Sequence, residues 1–285
     1  MTHRPRRSVL YMPGSKSRAL DKAATLPADA LILDLEDAVP PAEKSAARDL
    51  VCEAVKARPF GPREVIIRIN GPDTEWGAAD LQAAADAKPD AILLPKVESA
   101  DDIAKARAIA GDIPIWAMME TPRGLLNAAQ IASAPGLTCM VMGTNDLVKD
   151  LHASHVPGRA PMIAALGHAM LAARAYDLAI IDGVYNAFKD DDGLRTECEQ
   201  GRDMGFDGKT LIHPAQLAVT NEVFGPSEEA LAEARTQIAA YEETEASGGG
   251  VAVVNGRIVE NLHVENARRL LAEAEAIVAL EAAAG

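Results

Sequence analysis

Glu64-Val65-Ile66-Ile67-Arg68-Ile69-Asn70 is an apolar run of strand length with one arginine set inside it. Its apolar residues follow one another instead of alternating with polar ones, the pattern of a parallel strand covered on both faces. Seven more runs of this kind occur, at residues 9–12, 30–35, 91–95, 115–120, 138–143, 178–184 and 208–212. Between them lie Ala-rich stretches with helical periodicity, among them residues 44–56, 78–87, 100–110 and 161–176. Eight β/α repeats are the number that closes a TIM barrel.

A doubly wound open sheet has the same periodicity, so the placement of polar residues has to decide. Pro13-Gly14-Ser15-Lys16, Asp34 to Asp37, Arg68 with Asn70, Lys96 with Glu98, Glu120, Asn145-Asp146, Asp182 and His213 all stand at or just after the ends of these runs. A barrel brings such positions together at one mouth, whereas an open sheet spreads them along an edge. The expected fold is therefore α/β, a (β/α)₈ TIM barrel over residues 1–223 that serves as the catalytic domain. After His213-Pro214 the pattern changes to a helical segment (227–245), a Gly-rich hinge (247–250), a hairpin signal at Asn255-Gly256 and a final Ala/Glu-rich helix. Residues 224–285 read as a C-terminal lid and oligomerisation segment, with a plain helical cap on the barrel as the other reading.

Composition narrows the function. A formal net charge of −14 and a pI near 4.9 are wrong for a general nucleic-acid binder, which needs a basic surface to neutralise phosphates. Cys52, Cys139 and Cys198 are scattered and fall in no metal-binding or redox spacing, which fits a reducing cytoplasm and indicates neither disulfides nor zinc. Arg6-Arg7 resembles a twin-arginine signal only superficially, because the apolar run ends at Met12 before Pro13-Gly14. No stretch has the length of a membrane span. There is no GxSxG, and His152, His155 and His168 form no triad with a serine, so an α/β-hydrolase type of thioesterase is not expected.

Several residues are candidates for chemistry. Glu120 and Asp146 end the fifth and sixth runs, so a barrel sets their carboxylates side by side. Two carboxylates with open positions suit Mg²⁺, although either acid could instead cap the helix that follows. Arg68 lies in an apolar strand where an unpaired charge is costly, so it needs an anion: a substrate carboxylate, or a neighbouring acid such as Glu36. In Asp34-Leu35-Glu36-Asp37, alternation sends Asp34 and Glu36 to one side, while Asp37 passes beyond the strand as a turn or helix cap. Pro13-Gly14-Ser15-Lys16, with Arg18 and Lys22 behind it, is either a seat for phosphates or a solvated helix start. His213 either binds a ligand or closes a hydrogen bond at the barrel rim.

At this point the residues resemble a family. Leu10-Tyr11-Met12-Pro13-Gly14, Leu33-Asp34-Leu35-Glu36-Asp37, Arg68-Ile69-Asn70, Leu94-Pro95-Lys96-Val97-Glu98, Met119-Glu120-Thr121, Gly143-Thr144-Asn145-Asp146, Ile181-Asp182-Gly183-Val184-Tyr185, Gly205-Phe206-Asp207-Gly208-Lys209 and Ile212-His213-Pro214 are similar to blocks of the HpcH/HpaI aldolases, the citrate lyase β-subunit-like or malyl-CoA lyase-like enzymes. The resemblance implies Mg²⁺, with Mn²⁺ as a substitute, on Glu120 and Asp146. It implies substrate oxygens on Arg68, with Glu36 and Asp37 beside it, and coenzyme A, as part of the substrate, near Tyr11, Lys16 and Lys22. It further implies a homotrimer or homohexamer whose lid reaches a neighbouring subunit. The family's lyases carry an aspartate as acid/base where this chain has Glu260. The blocks around Val184-Tyr185-Asn186-Ala187-Phe188, residues 197–204 and Ile258-Val259-Glu260-Asn261-Leu262-His263 resemble the members that hydrolyse (3S)-malyl-CoA to malate and free coenzyme A. Carbon–carbon cleavage of malyl-CoA or citramalyl-CoA, or a role as the β-like subunit of a larger lyase complex, are the alternatives.

Overall fold

Eight parallel strands pair in chain order and the last returns to the first: β1 (Ser8–Pro13), β2 (Ala30–Asp34), β3 (Glu64–Arg68), β4 (Ala91–Leu94), β5 (Ile115–Met119), β6 (Leu137–Met142), β7 (Ala179–Asp182) and β8 (Gly208–Leu211). The structure, a computed structural model, describes residues 4–284; its two compact units are built on Arg6–Phe224 and on Gly225–Ala283, the latter together with residues 4–5. Each expected run coincides with a strand, and closure into a barrel excludes the open sheet.

Strand parity builds the site. Val9, Ala30, Ile32, Ile66, Ala91, Leu93, Trp116, Met118, Cys139, Val141 and Ile181 form one buried cluster, the barrel interior. Leu31, Leu33, Ile67, Ile92, Leu94, Ala117, Met119, Met140 and Ile180 face the other way, into the layer shared with the helices. Because side chains alternate along a strand, Tyr11, Asp34, Arg68 and Glu120, each two residues beyond an interior residue, continue the inner face up to the mouth. The opposite end is closed by Arg6, which lies over Trp116 at 5.2 Å and grips Glu64 at 2.6 and 2.8 Å. Arg7 forks Asp29 beside it.

Asp182 breaks an expectation. It follows the interior residue Ile181, so it points outward, away from the mouth where the sequence reading had put it. There its fully buried carboxylate meets Arg159 (2.7 and 2.8 Å) and Lys209 (3.0 Å), and Lys209 also reaches Glu197 (2.7 Å). Burial alone would raise the Asp182 pKa, but Lys209 and Arg159 hold it below the ordinary carboxylate range.

The outer helices include Lys44–Ala57, Gly77–Ala87, Ala100–Ala110 and Ile163–Ala175. The last starts later than expected because Gly158 and Arg159 adopt left-handed backbone and Pro161 follows. Helix Asp191–Met204 escaped sequence reading: only Leu194, Cys198 and Gly201 of its residues are buried, a narrow stripe in a polar sequence.

The Gly225–Ala283 unit holds helix Glu228–Ala246, then β9 (Ala252–Val254) antiparallel to β10 (Arg257–Val259), then helix Asn261–Ala284. Asn255 and Gly256 both have positive φ (49° and 75°), the requirement of a two-residue hairpin turn of type I′. Ala252, Val254, Val259 and Val264 make a small core with Ile238 and Tyr241 packed against it. The opposite face of the hairpin presents the cross-strand pair Val253 and Ile258, exposed at 69% and 62%.

Candidate active site

A cavity of 330 Å³ opens at the C-terminal ends of the strands, lined by Tyr11, Asp34, Asp37, Arg68, Glu120 and Asp146 on its polar side and by Met118, Met142, Val184 and Ile212 on its apolar side. The structure thus brings together residues from β1, β2, β3, β5 and the loops after β6, β7 and β8.

Arg68 is fixed from three directions. Its Nε and Nη2 donate to the two oxygens of Asp34, both at 2.7 Å, and Nη1 lies 2.8 Å from Glu36 Oε2 and 3.5 Å from Asp37 Oδ2. The guanidinium also lies over the Tyr11 ring at 4.8 Å. The neighbouring acid that the sequence reading offered as Glu36 is principally Asp34, with Glu36 second. Asp34 in turn accepts the backbone N–H groups of Glu36 and Ala38, at 2.9 and 3.0 Å, so the turn carrying Glu36 and Asp37 is tied to the same carboxylate. Buried Lys44 completes this fastening: its ammonium donates to the carbonyls of Leu35 and Glu36 and to Asn70 Oδ1, at 2.6 to 2.9 Å. At the start of a helix such a lysine reads as solvated, and only its contacts show the inward reach.

Glu120 follows β5 and is 3% exposed. Burial raises its carboxyl pKa, Glu36 raises it further, and Lys96 and Arg68 pull it back, leaving it at about 7. A Cβ on Gly143 would collide with Glu120 Cβ and lie 2.5 Å from Oε2, so glycine is what lets Glu120 lie against the end of β6. Asp146 sits in the first turn of helix Thr144–Asp150. Lys96 connects the two acids: its N–H donates to Glu120 Oε1 (2.8 Å), and its ammonium stands 3.1 Å from Asp146 Oδ2 and 3.3 Å from Glu36 Oε1. Sequence alone gives Lys96 no role, since a lysine after a proline in a loop has no signal of its own. Glu120 and Asp146 offer oxygen donors only, and Glu120 is under-neutralised by the charges around it; both properties fit a hard divalent cation such as Mg²⁺.

Lys16, Lys22 and His213 are not among the residues that line this cavity. Lys16 is largely exposed, 3.6 Å from Glu43, and Lys22 is exposed on helix Ser17–Ala23. The amides of Gly14 and Lys16 are already used by the carbonyls of Asp34 and Pro13. His213 stacks on Phe188 with ring centroids 4.6 Å apart, and its Nδ1 accepts the Ala215 N–H, which closes the helix start at the rim. Glu260 lies in the separate unit between β10 and the last helix. Its carboxylate is exposed, and its N–H donates to His263 Nδ1 at 3.1 Å.

Residues 7–214 match the model of the HpcH/HpaI aldolase/citrate lyase family. The chain belongs to that family. Among the HpcH/HpaI proteins it is 61% identical to a (3S)-malyl-CoA thioesterase of Cereibacter sphaeroides, over 98% of both chains. It is 33% identical to a citrate lyase subunit beta of Leuconostoc mesenteroides subsp. cremoris, over 96% of this chain and 94% of that one. Among solved structures of this family, CitE of Mycobacterium tuberculosis in complex with magnesium, acetoacetate and coenzyme A superposes with a TM-score of 0.80 at 32% identity, covering 96% of this chain and 100% of that one.

Proposed function

We propose that this chain hydrolyses (3S)-malyl-CoA to malate and free coenzyme A, with Mg²⁺ held by Glu120 and Asp146 and with Mn²⁺ able to replace it. The observation that carries the reading is the 61% identity over 98% of the chain to a protein named for this activity, joined to a mouth whose acidic pair and fixed arginine suit an α-hydroxy acid. A divalent cation bound there supplies Lewis acidity and a template for the hydroxyl and carboxylate oxygens. Arg68 neutralises the same acid end; pre-paired with Asp34 and stacked on Tyr11, it needs no reordering to do so. Asp37 and Glu36 flank Arg68 and limit its movement.

Residues 224–285 act as the lid and carry Glu260, which removes a proton from water as the water oxygen bonds to the thioester carbonyl carbon; the C–S bond then breaks and Glu260 returns that proton to the departing sulfur, which leaves as the free thiol. Tyr11 stands on the coenzyme side of Arg68, and Lys16 and Lys22 meet the coenzyme phosphates. The exposed Val253–Ile258 face supports a lid that closes on another subunit of a homotrimer or homohexamer. No helix among the described residues is long and apolar enough to cross a membrane, and all three cysteines are free and buried; with the acidic composition these support action in a reducing cytoplasm.

Product analysis tests the reading: purified protein with (3S)-malyl-CoA and Mg²⁺ yields malate and free thiol without glyoxylate. Glyoxylate plus acetyl-CoA would refute hydrolysis in favour of the lyase chemistry of the family's other branch, in which case Glu260→Asp should raise that cleavage. Turnover that survives Glu120→Ala would refute the metal assignment.

A further inference from the structure

Lys96 leaves β4 with φ 48°, a left-handed backbone that residues with a side chain adopt uncommonly. Such conformations persist where the surroundings over-determine them, and they concentrate at functional positions. Here the conformation lets one residue serve three acids. The N–H of Lys96 is held by Glu120, while its ammonium spans Glu36 and Asp146 at 3.3 and 3.1 Å. The ammonium is not locked in. Its side chain is 48% exposed, so a rotamer change takes it to solvent.

We propose that Lys96 is an internal counter-cation of the mouth: its ammonium takes the place beside Asp146 that a divalent ion must enter, and it yields that place when the ion binds. The inference rests on the assignment of Glu120 and Asp146 as metal ligands. The charges explain why such a group is present. Asp34, Asp37, Glu120 and Asp146 line one cavity, Glu36 reaches Arg68 and Lys96 beside it, and Arg68 is engaged by Asp34 and Glu36. Without Lys96, Asp146 would keep only the longer contact with solvent-exposed Lys149, 3.9 Å away, and Glu120 would lose its nearest ammonium until an ion arrived. With it, the ion has to displace an ammonium from two carboxylates, each half-exposed pair contributing a factor of roughly two to five to the equilibrium. A lysine whose hold on Asp146 builds the ion's site would have the opposite effect, since its removal would weaken binding.

Calorimetric titration of the full-length chain with Mg²⁺ alone separates the two. Lys96→Met keeps the aliphatic stem and removes the charge, and it should tighten Mg²⁺ binding by about tenfold, the product of the two lost pairs. Its melting temperature without metal should fall, and the rise on adding Mg²⁺ should exceed that of the wild type. Lys96→Arg keeps the charge and adds a second donor, so it should weaken Mg²⁺ binding severalfold; it provides a reading even if the methionine variant folds poorly. Equal or weaker binding by Lys96→Met, or tighter binding by Lys96→Arg, would overturn the proposal. Wild-type binding that is insensitive to Glu120→Gln would overturn the metal assignment and this inference together, whereas Glu120-dependent binding that weakens in Lys96→Met would overturn this inference alone.

Discussion

Asp34→Asn removes one charge and replaces one oxygen of a carboxylate that is 1% exposed. Oδ1 now accepts from Arg68 Nε and Glu36 N–H, and Oδ2 from Arg68 Nη2 and Ala38 N–H. Whichever way the asparagine amide turns, its NH₂ faces one guanidinium N–H and one backbone N–H, so two contacts become donor against donor. Hydrogen bonds to charged groups contribute about 1.5–3 kcal/mol each, and removing one partner of a buried ion pair costs about 3–5 kcal/mol. Glu36, 2.8 Å from Nη1, still offsets part of the Arg68 charge, so about 3 kcal/mol is expected, from the lower end of that range. For a unit of this size that corresponds to a loss of roughly 6–12 °C in melting temperature.

Urea denaturation and differential scanning calorimetry of Asp34→Asn, Arg68→Met and the double variant measure this directly. The double variant should lose less than the two single losses added together, because removing the arginine also removes the unpaired charge. A loss under about 1 kcal/mol for Asp34→Asn, or strict additivity in the cycle, would show that Arg68 is held by Glu36 and Tyr11 and that the reasoning is wrong.

Gly143→Ala should turn Glu120 aside, lowering Mg²⁺-dependent turnover about a hundredfold, as misplacements near 1 Å do, with a far smaller effect on melting; steady-state rates equal to wild type would contradict the contact geometry. Around Asp182 the depressed carboxyl contributes stability that is complete above its ordinary value of 3.8 and is lost as pH falls through the lower folded value. Lys209 is shifted the other way: burial alone would lower it, but Asp182 and Glu197 raise it above 10.5, so its contribution is complete below 10.5 and is lost as pH rises through the higher folded value. Asp182→Asn should therefore lower the neutral-pH stability by about 3–5 kcal/mol and make the acid limb of a stability–pH curve shallower; an unchanged limb would place the acid transition elsewhere. Asn255→Ala replaces a residue that tolerates left-handed backbone with one that adopts φ 49° uncommonly, costing about 1–2 kcal/mol, which amide exchange at residues 252–259 should report as faster opening while the barrel strands stay unchanged.

The barrel could be read from the sequence because parallel strands buried on both faces leave continuous apolar runs, and all eight such runs became strands. What the runs do not display is which face each polar residue takes. Arg68 and Glu120 were placed correctly at the mouth, but Asp182 was not, although its position directly after Ile181 decides the matter once Ile181 is known to be interior. The same applies to contacts between distant segments: Asp34 as the partner of Arg68, Lys44 beneath the turn that follows β2, and Lys96 between Glu36 and Asp146 depend on spatial neighbours that no spacing rule reveals. Helix Asp191–Met204 was hidden because its buried stripe amounts to a leucine, a cysteine and a glycine.

Asp34 and Arg68 are also opposite one another in the ladder between β2 and β3. A slip of β3 by one residue would turn its apolar set inside out, and the core forbids it. A slip by two keeps every apolar side chain on its proper face, so hydrophobicity alone hardly resists it. It would, however, set the Arg68 guanidinium beside Ile32 with no anion, or carry it past the end of β2. The ion pair at the mouth is thereby a ruler for the sheet: it fixes the stagger of neighbouring strands, and with it the girth of the barrel, so a pair that lines the mouth also excludes the nearest misfolded alternatives.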